Sequence, residues 1–247
     1  MRLSQSERRN IKDEIVIAAL PTTPAETSNL KSILANTSLF KMLDDAQLDD
    51  VLSCTRTTQA KGNMPIVDHG EVATGAFWIV YGQVKITLHT KQGTEKILEI
   101  LGQNTCFGLG EMLLQRPHIA LVKTITDSML LHVDRAAIMR VAEQNFAFSH
   151  ELMTCVGRQF YSLVRDIEGY SQTAKQRLAE YLLRQSRREI SDNIELVAKK
   201  SLIASRLSLT PETLSRLFHD LAAEGLIAMS GRRIKILDYE RMATVMP

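Results

Sequence analysis

Cysteine is scarce in this 247-residue chain, with Cys54, Cys106 and Cys155 its whole complement. The count is odd, the three lie about 50 residues apart, and no Cys-x-x-Cys occurs. A disulfide framework and a cysteine-rich zinc or iron–sulfur site are therefore not expected. Long apolar runs are missing too: none approaches the roughly 20 residues that span a bilayer. The apolar patch from Ile15 to Leu20 follows Asp13 and Glu14, where a signal peptide carries a basic flank, so the expectation is a cytoplasmic protein with no membrane partner. No His-x-His, no Ser/His/Asp arrangement and no Walker-type glycine loop stands out. These gaps argue against an enzyme, including a metal-dependent one of cupin type, and no catalytic or metal-ligating residue is expected.

What is present is a foldable composition, 45% hydrophobic and 23% charged, in a length suited to one or two domains. The net charge of +2 decides little, but its distribution is informative. From Thr173 onward there are 13 basic and nine acidic residues, against 17 and 19 before it, so a polyanionic partner is expected at the C-terminal third. Eight of the 12 glycines fall between Gly62 and Gly110. Short runs of β-branched and aromatic residues lie among and after them: Pro65–Asp68, Phe77–Tyr81, Val80–Leu88, Lys96–Leu101, Ala120–Thr126 and Met129–Val133. Lys91-Gln92-Gly93-Thr94 supplies a hairpin turn. Short strands with a turn at nearly every joint predict a barrel or jelly roll.

Asp134 then reads as an N-cap for a helix over Arg135–Glu143. Beyond Asn145 no proline interrupts the chain until Pro211. Phe148, Leu152, Val156, Leu163, Ile167 and Tyr170 recur at mostly three/four spacing, predicting one long helix with a narrow apolar stripe. Such a stripe suits either the helix's own β domain or its copy in a second chain. The second reading is favoured, with Phe148, Leu152, Val156, Leu163 and Ile167 as the dimer seam. Residues 1–37 start basic (Arg2, Arg8, Arg9, Lys12) and are interrupted by Pro21-Thr22-Thr23-Pro24, so they read as a tail. The expected organisation is α+β: tail 1–37, β-roll sensor domain 38–143, dimerisation helix 144–172 and a C-terminal domain 173–247.

The C-terminal domain carries the most specific pattern. Ser201 reads as the cap of a short helix ending at Arg206, and Leu207-Ser208-Leu209 makes a tight connection. Thr210 then caps a second helix with Pro211 in its first turn, running to about Glu224 before Gly225. Leu214, Leu217, Phe218 and Leu221 mark its inner face, and Glu212, Thr213, Ser215, Arg216 and His219 its outer one. Two short helices joined by a three-to-four-residue turn, the second polar outside, predict a helix-turn-helix. Arg216 suits guanine O6 and N7, Glu212 suits cytosine N4, and Thr213 and Ser215 can reach base edges. Leu226–Met229 and Ile234–Leu237 read as wing strands. Lys199, Lys200, Ser201, Thr210, Arg232, Arg233 and Lys235 are the expected phosphate contacts of double-stranded DNA.

A glycine-punctuated β-roll, a long helix and a winged helix-turn-helix together resemble the CRP/FNR family of bacterial transcription regulators, over about Leu39 to Ile236. The resemblance implies a cyclic-nucleotide-binding-like jelly roll (a double-stranded β-helix), a homodimer and a contact with RNA polymerase, with the choice between activator and repressor left open. Thr210-Pro211-Glu212-Thr213-Leu214-Ser215-Arg216 resembles the FNR branch, whose Glu-x-x-Ser-Arg implies a TTGAT-like half-site in an inverted repeat. Ser208 stands where many members have glycine. Phe107-Gly108-Leu109-Gly110-Glu111 resembles the cyclic-nucleotide cassette, but His118 and Ile119 stand where that cassette has Arg and Ser or Thr. A buried phosphate would lack its cationic fork there, and Arg116 lies two residues early. The resemblance thus implies an effector pocket around Gly110, Glu111 and His118, and an effector other than cyclic AMP. An iron–sulfur cluster is disfavoured because the N-terminal segment has no cysteine. Likeness to the nitric-oxide-responsive, DNR-like branch leaves haem open as a cofactor, with Pro117-His118 as its candidate axial ligand. A cyclic-nucleotide-responsive, CRP-like regulator is the alternative.

Overall fold

The computed structural model describes residues 15–18, 24–89, 95–168, 172–189, 191–196 and 198–245. The basic residues Arg2, Arg8, Arg9 and Lys12, Pro21 to Thr23, the Lys91–Thr94 turn and Tyr170 lie outside them. The chain divides into two compact units, Met1–Phe160 and Tyr161–Pro247.

The first unit is a β-roll faced by helices. Its elements are β1 (Ile15–Ala18), α1 (Pro24–Ala35), a 3-10 turn (Phe40–Met42), α2 (Asp45–Ser53), β2 (Thr55–Ala60), β3 (Pro65–Val67) and β4 (Gly75–Tyr81). β5 (Val84–His89), β6 (Glu95–Leu101), β7 (Cys106–Phe107), α3 (Leu109–Leu114), β8 (Leu121–Thr124), β9 (Ser128–Asp134) and α4 (Arg135–Gln144) follow. One sheet runs β1-β2-β9-β4-β7 and the other β3-β8-β5-β6, with antiparallel pairing throughout. The hairpin expected around Lys91–Thr94 pairs His89 with Glu95 and Val84 with Leu101.

The period-two alternation of β4 and β9 divides two cores. Ile79 and Leu130 point into the roll, joining Val67, Val84, Leu101, Phe107 and Val122. Ala76, Trp78, Leu131 and Val133 point outward beneath a helical layer of Leu30, Leu34, Phe40, Leu48, Val51, Ile138 and Val141. Phe40 lies 4.9 Å from Trp78 and 5.8 Å from Phe148, ring centroid to centroid.

This layer corrects the expectation of a tail. β1 pairs with β2 in register Ile15↔Ala60 to Ala18↔Thr57, and α1 buries Leu30 and Leu34 in the helical core. Pro24 does not end a helix; it opens one, at a first-turn position where its missing N–H is no loss. Asp134 precedes α4 as expected, but its side chain makes no capping bond. It lies 3.5 Å from His132 Nδ1 and 3.7 Å from Arg56 Nη2, neighbours that compete for the carboxylate.

α5 runs unbroken from Phe146 to Glu168. The second unit continues with α6 (Ala174–Glu189), β10 (Asn193–Glu195), α7 (Lys200–Arg206), α8 (Pro211–Ala223), β11 (Ile227–Ser230), β12 (Arg233–Ile236) and α9 (Tyr239–Thr244). Its sheet is ordered β10-β12-β11, and Leu178, Leu182, Leu183, Ile203, Leu214, Phe218, Leu221 and Ile234 are buried within the unit.

Candidate nucleic-acid interface

α7 and α8 meet through a tight turn. Leu207 N–H donates to Ile203 O at 3.0 Å and Leu209 N–H to Ala204 O at 2.8 Å, which reverses the chain between them. Ser208 sits there at φ 55°. This is the left-handed region that costs a non-glycine residue roughly 1–2 kcal/mol, which accounts for glycine being the usual occupant. Thr210 caps α8 by accepting from Thr213 N–H at 3.2 Å, with Pro211 at the first helical position. Gly225, at φ 72°, ends it, and Leu226 N–H returns to Leu221 O at 3.0 Å.

The short helix before the turn begins differently from expectation. α7 starts at Lys200, with Lys199 in the cap position and no side-chain capping bond. Ser201 is therefore not a cap; it is an exposed residue of the first turn.

Leu214, Leu217, Phe218 and Leu221 turn inward and leave Glu212, Arg216, His219 and Asp220 exposed, with Thr213 and Ser215 half-buried at the margins. A Glu212–Arg216 ion pair would have made this an ordinary solvated helix face. It is not formed. Arg216 has no hydrogen-bond or ion-pair partner among the described residues, so its planar fork is available. Glu212's own backbone N–H and the Thr210 hydroxyl hold its carboxyl below the usual carboxylate range, keeping it an acceptor.

The phosphate-contact candidates separate into two groups. Lys199, Arg233 and Lys235 are exposed and make no ion pair among the described residues. Lys200 lays its ammonium 5.2 Å from the Phe218 ring centroid, a cation–π contact that fixes it against α8. Arg232, on the wing turn beside Gly231 (φ 62°), donates to Leu196 O from Nε at 3.2 Å and from Nη2 at 2.7 Å. It therefore holds the wing to the strand side of the domain, a part that its sequence position did not reveal. β11 and β12 pair from Ile227↔Ile236 to Ser230↔Arg233.

The expected dimer seam does not survive as written. Phe148 and Leu152 are buried in the first unit's own helical core, and Val156 packs partly against it. A second apolar row lies on the opposite side of α5. Phe146, Met153, Phe160, Val164 and Ile167 are exposed, as are His150 and Gly157 between them. These positions alternate steps of four and three, the heptad pattern of a helix that pairs with another helix. Leu163, 52% exposed, flanks that row rather than forming its centre, and Ile167 belongs to it.

In the roll, Gly108 (φ 83°) leads into α3, which carries Gly110 and Glu111 in its first turn. His118 is buried, its N–H donating to Glu71 O at 2.8 Å and its carbonyl accepting from Gly70 N–H at 2.7 Å. Its imidazole lies so close to Gly108 that a Cβ there would approach its Cε1 to 3.3 Å. Ile119 and Arg116 are exposed, so neither is buried beside His118 as a partner for a phosphate. His132, which faces Phe77 at 4.6 Å, has both ring nitrogens engaged, with Asp134 at 3.5 Å and Thr74 Oγ1 at 3.3 Å. Burial holds its pKa below the ordinary value. One imidazole against glycine backbone and another doubly engaged do not fit an axial ligand for haem. Burial pushes the Cys106 thiol up to about 12 and raises that of Cys155, keeping both as neutral, core-lining groups. No cluster of three or more His, Cys, Asp or Glu arranged for a metal occurs among the described residues.

Two family models match this architecture part by part. Residues 58–145 match a cyclic nucleotide-binding domain, and residues 176–245 match a Crp-like helix-turn-helix domain. Together they cover more than half of the chain. The chain belongs to the CRP/FNR family of transcription regulators. The CRP-like cAMP-activated global transcriptional regulator of Mycobacterium tuberculosis is 23% identical over 224 residues, covering 87% of this chain and 98% of the relative. FixK2 from Bradyrhizobium japonicum shares the fold, with a TM-score of 0.70 at 21% identity over 78% of this chain and 98% of its own. A CooA mutant from Carboxydothermus hydrogenoformans does so with a TM-score of 0.68 at 20% identity, covering 85% and 96%. The regulator is thus a DNA-binding protein with an N-terminal cyclic-nucleotide-binding-type β-roll and a C-terminal helix-turn-helix. No helix among the described residues is long and apolar enough to cross a membrane.

Proposed function

We propose that the regulator binds an inverted-repeat operator with TTGAT-like half-sites as a homodimer, α8 of each copy entering a major groove. The observation that carries this is the unpaired guanidinium of Arg216 beside the acceptor Glu212 on the exposed face of a capped helix. Arg216 donates two hydrogen bonds to a guanine, Glu212 accepts from a cytosine, and Ser215 and Thr213 contact neighbouring edges or the backbone. Lys199, Arg233 and Lys235 neutralise phosphates and set the register without reading sequence; Lys200, Ser201 and Thr210 complete the backbone contacts from the helix starts. Two copies pair through the exposed row of α5, from Phe146 to Ile167, so that both half-sites are engaged together. Bound to its operator, the dimer regulates transcription through contact with RNA polymerase. Enrichment from random duplexes checks the reading: it predicts a palindrome bound by two chains. Enrichment of no motif, or of a single half-site bound by one chain, contradicts it.

The effector acting through the roll is a molecule other than cyclic AMP. What supports this is the position of His118 and Ile119, which offer neither a guanidinium nor a hydroxyl to a cyclic phosphate. The match of residues 58–145 to a cyclic nucleotide-binding domain favours the second reading, a cyclic-nucleotide-responsive regulator. Calorimetry separates the two: micromolar cyclic AMP binding establishes the second reading, and absence of heat at millimolar ligand supports the first.

A further inference from the structure

The exposed row on α5 runs through positions 146, 150, 153, 157, 160, 164 and 167. In heptad terms Phe146, Met153, Phe160 and Ile167 take one seam position, and His150, Gly157 and Val164 the other. His150 is the polar member of an otherwise apolar or glycine seam. We propose that His150 specifies how two copies pair, parallel and in register with its own copy directly opposite, and that protonating this histidine pair loosens the dimer. The proposal rests on the homodimer reading above.

The argument follows from what an imidazole needs when covered. At this seam position in a parallel pair, each residue faces its own copy across the two-fold axis. Two neutral imidazoles satisfy each other there, one ring's N–H donating to the other's bare nitrogen. A shift by one heptad would set one imidazole against Gly157, which offers no side-chain partner, and carry the other past the start of the facing helix to the level of position 143, so the register with the histidines opposed is selected. Gly157 assists in another way. A Cβ at this position would meet nothing within 4 Å inside its own chain, so the space there is open to an approaching helix. That approach comes two turns along from His150 and draws the helices together.

Protonating both rings leaves donors without acceptors and places like charges face to face. Histidine changes charge between about pH 8 and 5. The charged residues nearest to it on the same helix are Glu151 and Arg158, paired with each other at 3.1 Å; Arg165, Asp166 and Glu168 follow at the far end. Those on the elements packed behind this end are Arg135, Arg140 and Glu143 of α4, Lys41 of the 3-10 turn, and Asp44, Asp45, Asp49 and Asp50 at the start of and along α2. None of these residue types ordinarily changes charge in that interval.

Sedimentation equilibrium of the full chain at pH 8.0 and 5.5 tests the proposal, with His150→Leu as the comparison. The parent dimer's dissociation constant should rise by about tenfold or more on acidification. The leucine variant should bind at least as tightly as the parent at pH 8.0 and lose most of that dependence. Oxidative cross-linking of Met153→Cys adds a test of register: in-register parallel helices bring that position against its own copy, giving a covalent dimer beyond any formed by the parent. A parent dimer indifferent to pH, a leucine variant with undiminished pH dependence, or no added cross-link overturns the proposal. A monomer at pH 8.0 overturns the homodimer reading as well.

Discussion

Leu34 offers a direct test of whether the N-terminal helix belongs to the β-roll unit. It is 0% exposed and lies in the cluster that holds Phe40, Trp78 and Phe148. Leu34→Ala removes three buried carbon atoms and leaves a cavity walled by helices on one side and a sheet on the other. Such walls relax only in part, and the expected loss is about 2–5 kcal/mol. Set against a typical domain stability of about 5–15 kcal/mol, that is a large fraction. Trp78 is the single tryptophan of the chain, 4% exposed and 4.9 Å from Phe40. Its fluorescence therefore follows this unit while the helix-turn-helix unit contributes no tryptophan signal. With a urea dependence of about 1–3 kcal/mol per molar, the midpoint should fall by about 1 M or more, at unchanged slope. Ser32→Ala, on the exposed side of the same helix, should leave the midpoint where it was. An unshifted midpoint for Leu34→Ala would refute the packing argument and return residues 24–35 to the status of a tail.

Other outcomes follow from single contacts. Phe160→Glu, at the centre of the exposed row, should yield monomers by sedimentation and much weaker operator binding, since it sets an unpaired charge against a second helix. Ser208→Gly relieves the φ of 55°, offset by glycine's greater freedom when unfolded, and should raise the thermal stability of the second unit by up to about 1 kcal/mol, read by circular dichroism. Arg232→Ala removes both bonds to Leu196 O and should weaken binding to all duplex sequences alike, measured as parallel losses on specific and random DNA. Burial keeps His132 below its ordinary pKa near 6.5, despite the opposing pull of Asp134, so the unfolded chain binds the proton first as pH falls. Trp78-monitored stability should therefore decline as pH drops through about 6.5, with a shallower decline in His132→Gln.

The helix-turn-helix was legible because its signals are local. Thr210, Pro211 and Gly225 each act on the backbone within a turn of themselves, and the inward face of α8 repeats at helical spacing. What eluded the sequence depends on partners far along the chain. α1 offers Leu30, Ile33 and Leu34 among polar residues, and a sheet that forms later in the sequence decides their burial. α5 is apolar on two sides. Phe148 and Leu152 on one, and Met153 and Phe160 on the other, all satisfy three/four spacing, and only the fold shows which row its own unit has used. Asp134 was misread as a cap, and the structural part of Arg232 was missed, for a related reason: a carboxylate before a helix reads as a cap, and an arginine on a wing reads as a phosphate contact alone. Arg56 and the Leu196 carbonyl, both distant in sequence, engage them, and His132 on its own strand does so for Asp134. The effector site stayed obscure because it depends on where His118 points, and the fold turns that ring toward Gly108.

The central claim is that Arg216 reads a base. Fluorescence anisotropy on the duplex enriched by the parent, with and without a change at the G·C pair assigned to Arg216, measures this directly. Arg216→Ala should lose about 1–3 kcal/mol, roughly 5- to 150-fold, on the enriched duplex. It should then be nearly indifferent to the base change that weakens the parent. Equal affinity of parent and variant for the enriched duplex, or a variant that still discriminates at that base pair as the parent does, would contradict the account.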